Sequence, residues 1–227
     1  MRASRIPGAQ LALLEGESLA PYLGDTEVIL QTIDDFLDPA GTAVAQPGVA
    51  GLVTILFTDI EGSTPLTQRL GDAKAREVMR EHERITRECL KAHGGSEVKT
   101  MGDGFMASFA SATKALECAI AIQRAFEERN TGVGATGRSP LHVRIGLNAG
   151  EPIAEEDPGG RSDLFGTAVI TAARIAGQAQ GGEILVSNVV RELVAGKEFL
   201  FADRGETALR GFEDPVRLFE MRWLEEG

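Results

Sequence analysis

The sequence predicts an α+β fold, with a ferredoxin-like (split βαβ) core and additional strands and a helix at its C-terminal end. The first observation behind this prediction is the order of patterns along the chain, which runs strand, helix, hairpin, helix, strand. The second is the series of shorter strand and helix patterns that follows this core. With 227 residues, of which 43% are hydrophobic and 25% charged, the composition is that of an ordinary globular protein.

Each element is predicted from its hydrophobic period. Val53, Ile55 and Phe57 alternate along a strand that runs directly into Asp59. Apolar residues at helical spacing predict the helices, and two extended arms around Gly102-Asp103-Gly104 predict the hairpin. A polar loop is expected between the strand that ends at 152 and the helix after it. The predicted elements, in order, are strand 52–58, helix 65–93, hairpin 94–110, helix 111–129, strand 141–152, helix 166–179, strand 183–187, helix 188–195 and strands near 198–202 and 216–223.

The chain divides into an N-terminal extension, a linker and one larger domain. Residues 1–37 have the pattern of one strand and one helix. The stretch 38–51 contains two Pro and three Gly and few large apolar side chains, which is typical of a linker. We therefore expect one compact domain over 52–227.

The net charge of −11 argues against a nucleic-acid partner, because such proteins present a basic patch. It is compatible with a nucleotide that arrives with divalent cations, since carboxylates hold those ions. No run approaches the roughly 18 apolar residues of a membrane span, and the N-terminus lacks the pattern of a signal peptide. We expect a cytoplasmic protein with no membrane partner, in which Cys89 and Cys118 are buried thiols.

Two aspartates occupy unusual places. Asp59 ends the first predicted strand, and Asp103 lies at the tip of the hairpin between two glycines. In a ferredoxin-like core these elements are neighbours in the sheet, so the two carboxylates are expected to converge. Two carboxylates at such a short distance repel each other unless a cation lies between them or one of them is protonated. Mg²⁺ commonly uses one or two carboxylates together with substrate phosphates.

Each aspartate also has an ordinary structural interpretation. Asp between glycines is common in turns for conformational reasons, and Asp59 is suited to cap the helix that follows its strand. The segment after it, Glu61-Gly62-Ser63-Thr64, leads into a helix start whose free backbone N–H groups suit a phosphate. The combination favours a metal-dependent phosphoryl site.

Four motifs in this order resemble the class III nucleotidyl cyclase catalytic domain. They are "FTDIEGST", "EVKTMGDGFMASF", "VRIGLNAGEP" and "DLFGTAVITAARI", and the closing "LRGFEDPVRLFEM" is similar to the terminal segment of bacterial members. The resemblance covers roughly residues 52–223. It implies the ferredoxin-like core of that family.

The resemblance implies a role for each matching residue. Asp59 and Asp103 match the two aspartates that hold two divalent ions, Mg²⁺ or Mn²⁺. Lys99 and Asp163 match the pair that reads adenine, where Lys donates to a ring nitrogen and Asp accepts from the exocyclic amine. Arg174 matches the arginine that stabilises the transition state. The other implied substrate-binding positions are Ile60, Gly62, Ser63, Thr64 and Arg210.

The expected activity is that of an adenylate cyclase, in which the ribose 3′-OH of ATP attacks the α-phosphorus and releases pyrophosphate. Family members share each site between two chains, so a homodimer is expected. One position departs from the family pattern, because Ile170 stands where an asparagine normally precedes the arginine by four residues. The alternative is therefore a weak or inactive module that binds nucleotide and dimerises.

The segment 13–37 is similar to the last strand, loop and helix of α/β-hydrolases. No G-x-S-x-G nucleophile turn occurs in the chain, and Leu19 stands at the place of the catalytic histidine. The alternative interpretation is a strand–helix extension of the catalytic domain. Hydrolase activity is not expected on either interpretation.

Overall fold

The computed structural model describes residues 51–131, 139–156 and 162–224. The strand and helix predicted within 1–37, the hydrolase-like segment 13–37 and all but the last residue of the 38–51 linker lie outside these ranges. No helix in the described ranges combines the length and the apolar character that a membrane crossing requires.

The described residues form helices and strands that alternate largely as predicted. In chain order they are β1 (Val53–Ile60), α1 (Ser63–Leu70), α2 (Asp72–His93), β2 (Ser96–Met101), β3 (Gly104–Phe109), α3 (Ala112–Thr131), β4 (Val143–Gly150), β5 (Ile153–Glu156), β6 (Ser162–Phe165), α4 (Thr167–Gln178), β7 (Ile184–Ser187), α5 (Asn188–Leu193), β8 (Leu200–Thr207) and β9 (Val216–Arg222).

One seven-stranded sheet organises the domain, in the order β2-β3-β1-β4-β7-β9-β8. Its first four strands have the split βαβ arrangement, because β3 lies between β1 and β2 and all three of their neighbouring pairs are antiparallel. The C-terminal strands extend this sheet at the β4 side, where β7 pairs with β4 in parallel. The predicted fold class is confirmed.

The two faces of the sheet carry different helices, and this decides where the polar residues of β1 point. Leu56 and Ile60 join the large core that includes residues of α2 and α3. Ile55 and Phe57 face the other way and pack with residues of α4, among them Ala172. Because side chains alternate along a strand, Asp59 lies on the α4 face.

Two predicted elements were wrong in detail. The helix predicted over 65–93 is two helices separated at Gly71, which has a φ of 77° that suits glycine. The apolar spacing continues across this break and therefore conceals it. The polar loop predicted after β4 contains strands β5 and β6, which pair with each other as a separate two-stranded sheet. Their alternation was too short and too polar to identify them as strands.

Candidate functional site

Asp59 and Asp103 meet at one end of the central strands, as predicted. The register pairs Asp59 with Gly104, the first residue of β3, and Asp103 immediately precedes it at the hairpin tip. The two carboxylates are close enough for the charge of Asp103 to raise the pKa of Asp59. Antiparallel pairing of β1 with β3 therefore produces the predicted convergence.

Arg144 completes this cluster, and the sequence did not single it out. It lies directly opposite Asp59 in the β1–β4 register. Its Nε donates to Asp59 Oδ2 at 2.8 Å, and its Nη2 donates to the same oxygen. The sequence offers only the weak signal of a lone arginine in an apolar strand, and the alignment with Asp59 comes from the strand pairing in the structure.

The protonation of Asp59 reflects three opposing influences. Burial raises its pKa above the ordinary value, because desolvation disfavours the charged carboxylate. The hydrogen bonds from Arg144 lower the pKa, and the negative charge of Asp103 raises it again. The net direction of the pKa is upward, because burial is the largest of these influences.

The donor set fits a divalent cation that also binds a phosphate. No group of three or more His, Cys, Asp or Glu side chains within the described ranges is arranged to hold a metal ion by itself. Two adjacent carboxylates do match the usual Mg²⁺ arrangement, in which water and substrate phosphate supply the remaining oxygen ligands. Asp59 and Asp103 are the residues that would hold such an ion.

The turn after β1 leads into a helix whose first backbone N–H groups have no hydrogen-bond partner among the described residues. Gly62 has a φ of 65° and begins α1 without a side-chain cap. The turn is anchored because Glu61 N donates to His142 O at 2.9 Å and Glu61 Oε1 accepts from Gly181 N at 2.9 Å. The first N–H groups of α1, those of Ser63 and Thr64, are therefore held in place and remain available to an anion.

Lys99 and Asp163 are brought together across 64 residues of sequence. Lys99 Nζ donates to Asp163 Oδ2 at 2.6 Å, and the two side chains are 34% and 26% exposed. Asp163 Oδ1 accepts from Leu164 N at 2.8 Å, which fixes the carboxylate. Lys99 Nζ also lies 5.3 Å from the centre of the exposed Phe165 ring, a contact that no motif in the sequence indicated.

Helix α4 places Arg174 and Ile170 on its exposed side. Asn148 Nδ2 donates to Ala168 O at 3.0 Å and ties the start of the helix to β4. Ile170 is 49% exposed and Arg174 is exposed one turn later. Arg174 has no hydrogen bond or ion pair within the part of the chain that the structure describes, so its charge is available to a ligand.

Two predicted positions differ in what they offer. Ile60 is only 1% exposed and packs in the core, so it has only backbone atoms to offer a substrate. Arg210 is exposed in the turn between β8 and β9, where Leu209 is buried beside it. Across the described ranges, no contact joins Arg210 to the other candidate site residues.

A profile of the family "Adenylate and Guanylate cyclase catalytic domain" matches residues 46–223. The chain is 31% identical to an adenylate cyclase of Podospora anserina over 77% of this chain and 10% of that protein. It resembles the crystal structure of the adenylyl cyclase CyaB from P. aeruginosa with a TM-score of 0.70 and 25% identity, over 76% of this chain and 94% of that one.

A third similar protein is the adenylate/guanylate cyclase/hydrolase of Silicibacter pomeroyi, with a TM-score of 0.65 and 31% identity, over 75% of this chain and 95% of that one. The chain spans 10% or less of the length of three adenylate cyclases that it matches. The family profile nevertheless covers most of the chain, in the segment that carries the site. The chain therefore belongs to the adenylate and guanylate cyclase catalytic-domain family of class III.

Proposed function

We propose that this chain is an adenylate cyclase, which converts ATP to 3′,5′-cyclic AMP and pyrophosphate. The observation that carries the proposal is the 2.6 Å ion pair between Lys99 and Asp163 in a domain that also brings Asp59 and Asp103 together. Lys and Asp offer a donor and an acceptor that complement the Watson–Crick edge of adenine. Guanine presents the opposite pattern at the corresponding edge positions.

The described residues divide the chemical work by position. Asp59 and Asp103 would hold two divalent cations, Mg²⁺ or Mn²⁺, whose Lewis acidity supports attack by the 3′-oxygen and offsets phosphate charge. The N–H groups of Ser63 and Thr64 at the start of α1 would bind the phosphates. Arg174, exposed and unpaired within the described ranges, neutralises the charge that grows on the α-phosphoryl group as the P–O bond breaks.

A second copy of the chain completes each site in this proposal. Lys99 lies on the edge strand β2, two strands from the strand β1 that carries Asp59, and Asp163 lies on β6 of the separate sheet. Exposed large apolar side chains flank the Lys99–Asp163 pair and α4, as expected of a surface that another chain covers. They are Met101 at 44%, Ile153 at 50%, Phe165 at 43% and Ile170 at 49% exposure.

The second candidate function is a module that binds nucleotide and dimerises with little turnover. Ile170 favours it, because an exposed isoleucine offers no hydrogen bond one turn before Arg174. Loss of one preorganised donor costs on the order of 10²-fold in rate in other enzymes. The proposed enzyme is therefore a slow one, and the two candidates differ in turnover rather than in fold.

The test is an assay of the purified full chain with ATP or GTP, each with Mg²⁺ or Mn²⁺, in which mass spectrometry identifies the product. We expect cyclic AMP from ATP, and loss of that product in Asp59→Asn and Asp103→Asn. Asp72→Asn, which removes an exposed acid at the start of α2, is the matched control and should retain activity. Nucleotide binding without product supports the inactive module, and cyclic GTP as the main product contradicts the proposed base preference.

Mixing two inactive variants tests the shared site. Asp59→Asn and Arg174→Ala chains should each lack activity alone. Random assortment of the two chains gives half heterodimers with one intact site of two, so about 25% of wild-type activity should return. No recovery in a mixture that sedimentation shows to be dimeric would contradict a site built from two chains.

A further inference from the structure

Arg144 forms an ion pair with Asp59, one of the two carboxylates proposed to bind a cation. Its Nε and Nη2 both donate to the same oxygen, Asp59 Oδ2, with the Nε distance at 2.8 Å. The two side chains are 31% and 25% exposed, so solvent screens the pair only partly. Asp59 and Arg144 are direct cross-strand partners, which fixes their side chains on one face of the sheet.

This pair differs from an ordinary cross-strand ion pair because a second carboxylate is present. Asp103 lies close enough to Asp59 for their like charges to interact. Arg144 is the one basic side chain that contacts Asp59 within the described ranges, since Lys99 is paired with Asp163. A guanidinium carries its charge at every accessible pH, so it compensates the carboxylates whenever no cation does.

A similar fork elsewhere in the protein serves as a comparison. Arg217 donates from Nε and Nη2 to the carboxylate of Asp203, between β8 and β9. That pair is 55% and 42% exposed, and within the described ranges it makes no hydrogen bond or ion pair with a candidate site residue. It is the arrangement expected of a surface ion pair with a purely structural role.

We propose that Arg144 is the counter-ion of Asp59 in the cation-free chain, and that a divalent cation has to displace it in order to bind. A doubly charged ion at Asp59 would lie within a few ångströms of the guanidinium, and the two positive charges repel strongly in a partly buried site. Free cations therefore bind weakly to the chain alone. A polyphosphate brings the negative charge that offsets Arg144, so nucleotide and cation load the site together.

The inference rests on the proposed metal site, and its test reads metal binding rather than activity. Mn²⁺ binding to the full chain is measured by electron paramagnetic resonance in the absence of nucleotide. Arg144→Met should bind Mn²⁺ at least about ten-fold more tightly than the wild type, by analogy with the pKa shift that an adjacent charge causes in a carboxylate. Arg144→Lys keeps the positive charge and should remain close to the wild type.

Two further variants locate the effect. Arg217→Met removes the comparison fork and should leave Mn²⁺ affinity unchanged. Adding Asp59→Asn to Arg144→Met should abolish the tighter binding, which assigns it to that carboxylate. Thermal unfolding of each variant establishes that the chain is folded, and Arg144→Gln, which also removes the positive charge, carries the same expectation if the methionine variant does not fold.

The possible outcomes distinguish a failure of the counter-ion role of Arg144 from a failure of the proposed metal site. Equal Mn²⁺ affinity in the wild type and Arg144→Met overturns the counter-ion role, while the metal site stands if Asp59→Asn still weakens binding. If neither Asp59→Asn nor Asp103→Asn changes Mn²⁺ affinity in any background, the metal site is wrong, and both the inference and the proposed function fail. Weaker binding in Arg144→Lys than in Arg144→Met supports displacement of a positive charge.

Discussion

Gly146 of β4 lies directly beneath the backbone of Ala176 in α4. A Cβ built on Gly146 would lie 2.1 Å from Ala176 N and 2.5 Å from Ala176 Cα, well inside any real contact distance. Only a residue without a side chain allows the helix to approach the sheet this closely. Since α4 carries Arg174 on its exposed side, the position of that residue relative to the sheet depends on Gly146.

Gly146→Ala should destabilise the domain, because backbone atoms of α4 have to move to admit one methyl group. Overpacking of this kind costs about 1–3 kcal/mol, and we expect a lower free energy of unfolding of that order in chemical denaturation. Gly177→Ala, on the helix that packs against Gly146, is the matched control. Nothing lies within 4 Å of its Cβ, so it should stabilise the helix by about 0.5–1 kcal/mol. Equal stability of the two variants would contradict the close approach.

Ile170→Asn should raise turnover if the proposed cyclase lacks one donor beside Arg174. A preorganised hydrogen bond to the substrate is worth up to about 10²-fold in kcat, and steady-state kinetics with ATP and Mn²⁺ would measure the gain. Because Ile170 is half exposed, the free energy of unfolding should change by no more than about 0.5 kcal/mol. Val189→Asn, an equally exposed position on α5, should leave kcat unchanged. An unchanged kcat in Ile170→Asn would mean that another group already fills that role.

Asp163→Asn and Lys99→Met should each lower kcat/KM for ATP, because the proposed base-reading pair loses a charged hydrogen-bonding partner. Such a bond contributes about 1.5–3 kcal/mol, or roughly ten- to one-hundred-fold. The ratio of kcat/KM for ATP to kcat/KM for GTP should fall towards one in both variants. Glu155→Gln is the control. Glu155 is the cross-strand partner of Asp163, so this substitution removes an equal charge from the same pair of strands. A parallel loss with both nucleotides would indicate a structural role instead.

His82 should make the free energy of unfolding of the domain depend on pH at values above those at which ordinary carboxylates titrate. It is 1% exposed, shares a 3.0 Å hydrogen bond with Thr58 Oγ1 and stacks on Phe126. Burial lowers its pKa from 6.5 to about 4, while the charges of Glu83 and Asp103 oppose that shift. In the folded protein it is therefore neutral at pH values where the unfolded chain already binds a proton.

The sign of this effect follows from proton binding. Between about pH 6.5 and 4 the unfolded state holds more protons, so the free energy of unfolding falls as the pH is lowered, by about 3 kcal/mol in all. Denaturation in the presence of a chelator should show this slope in the wild type and in His142→Gln, whose imidazole is exposed. His82→Gln should lose it. The same slope in His82→Gln would assign the titration to other groups.

The sequence predicted those features that depend on local period and strand order. The hairpin tip at Asp103 and its approach to Asp59 follow from the order of elements, because a split βαβ core allows one arrangement of these strands. Arg144 could not be predicted in the same way. Alternation along β4 shows that its side chain points away from the main core, but only the register with β1 shows that it faces Asp59.

The contact between Lys99 and Asp163 came from the family resemblance and not from periodicity. The two residues lie 64 positions apart, and β6 is part of a two-stranded sheet whose short, polar strands resemble a loop. The break at Gly71 was hidden for a related reason. Helical spacing of apolar residues continues through it, so only the backbone angle distinguishes two helices from one.

The Lys99–Asp163 ion pair joins the edge strand of the large sheet to the small separate sheet. Both residues therefore lie on strands whose backbone pairing does not involve either charged side chain. If this pair reads the purine, substitution of Lys99 and Asp163 alone is enough for the base preference to change during evolution. Because the pair is partly buried, its loss would lower the free energy of unfolding by more than the loss of an exposed ion pair, by about 1.5–3 kcal/mol.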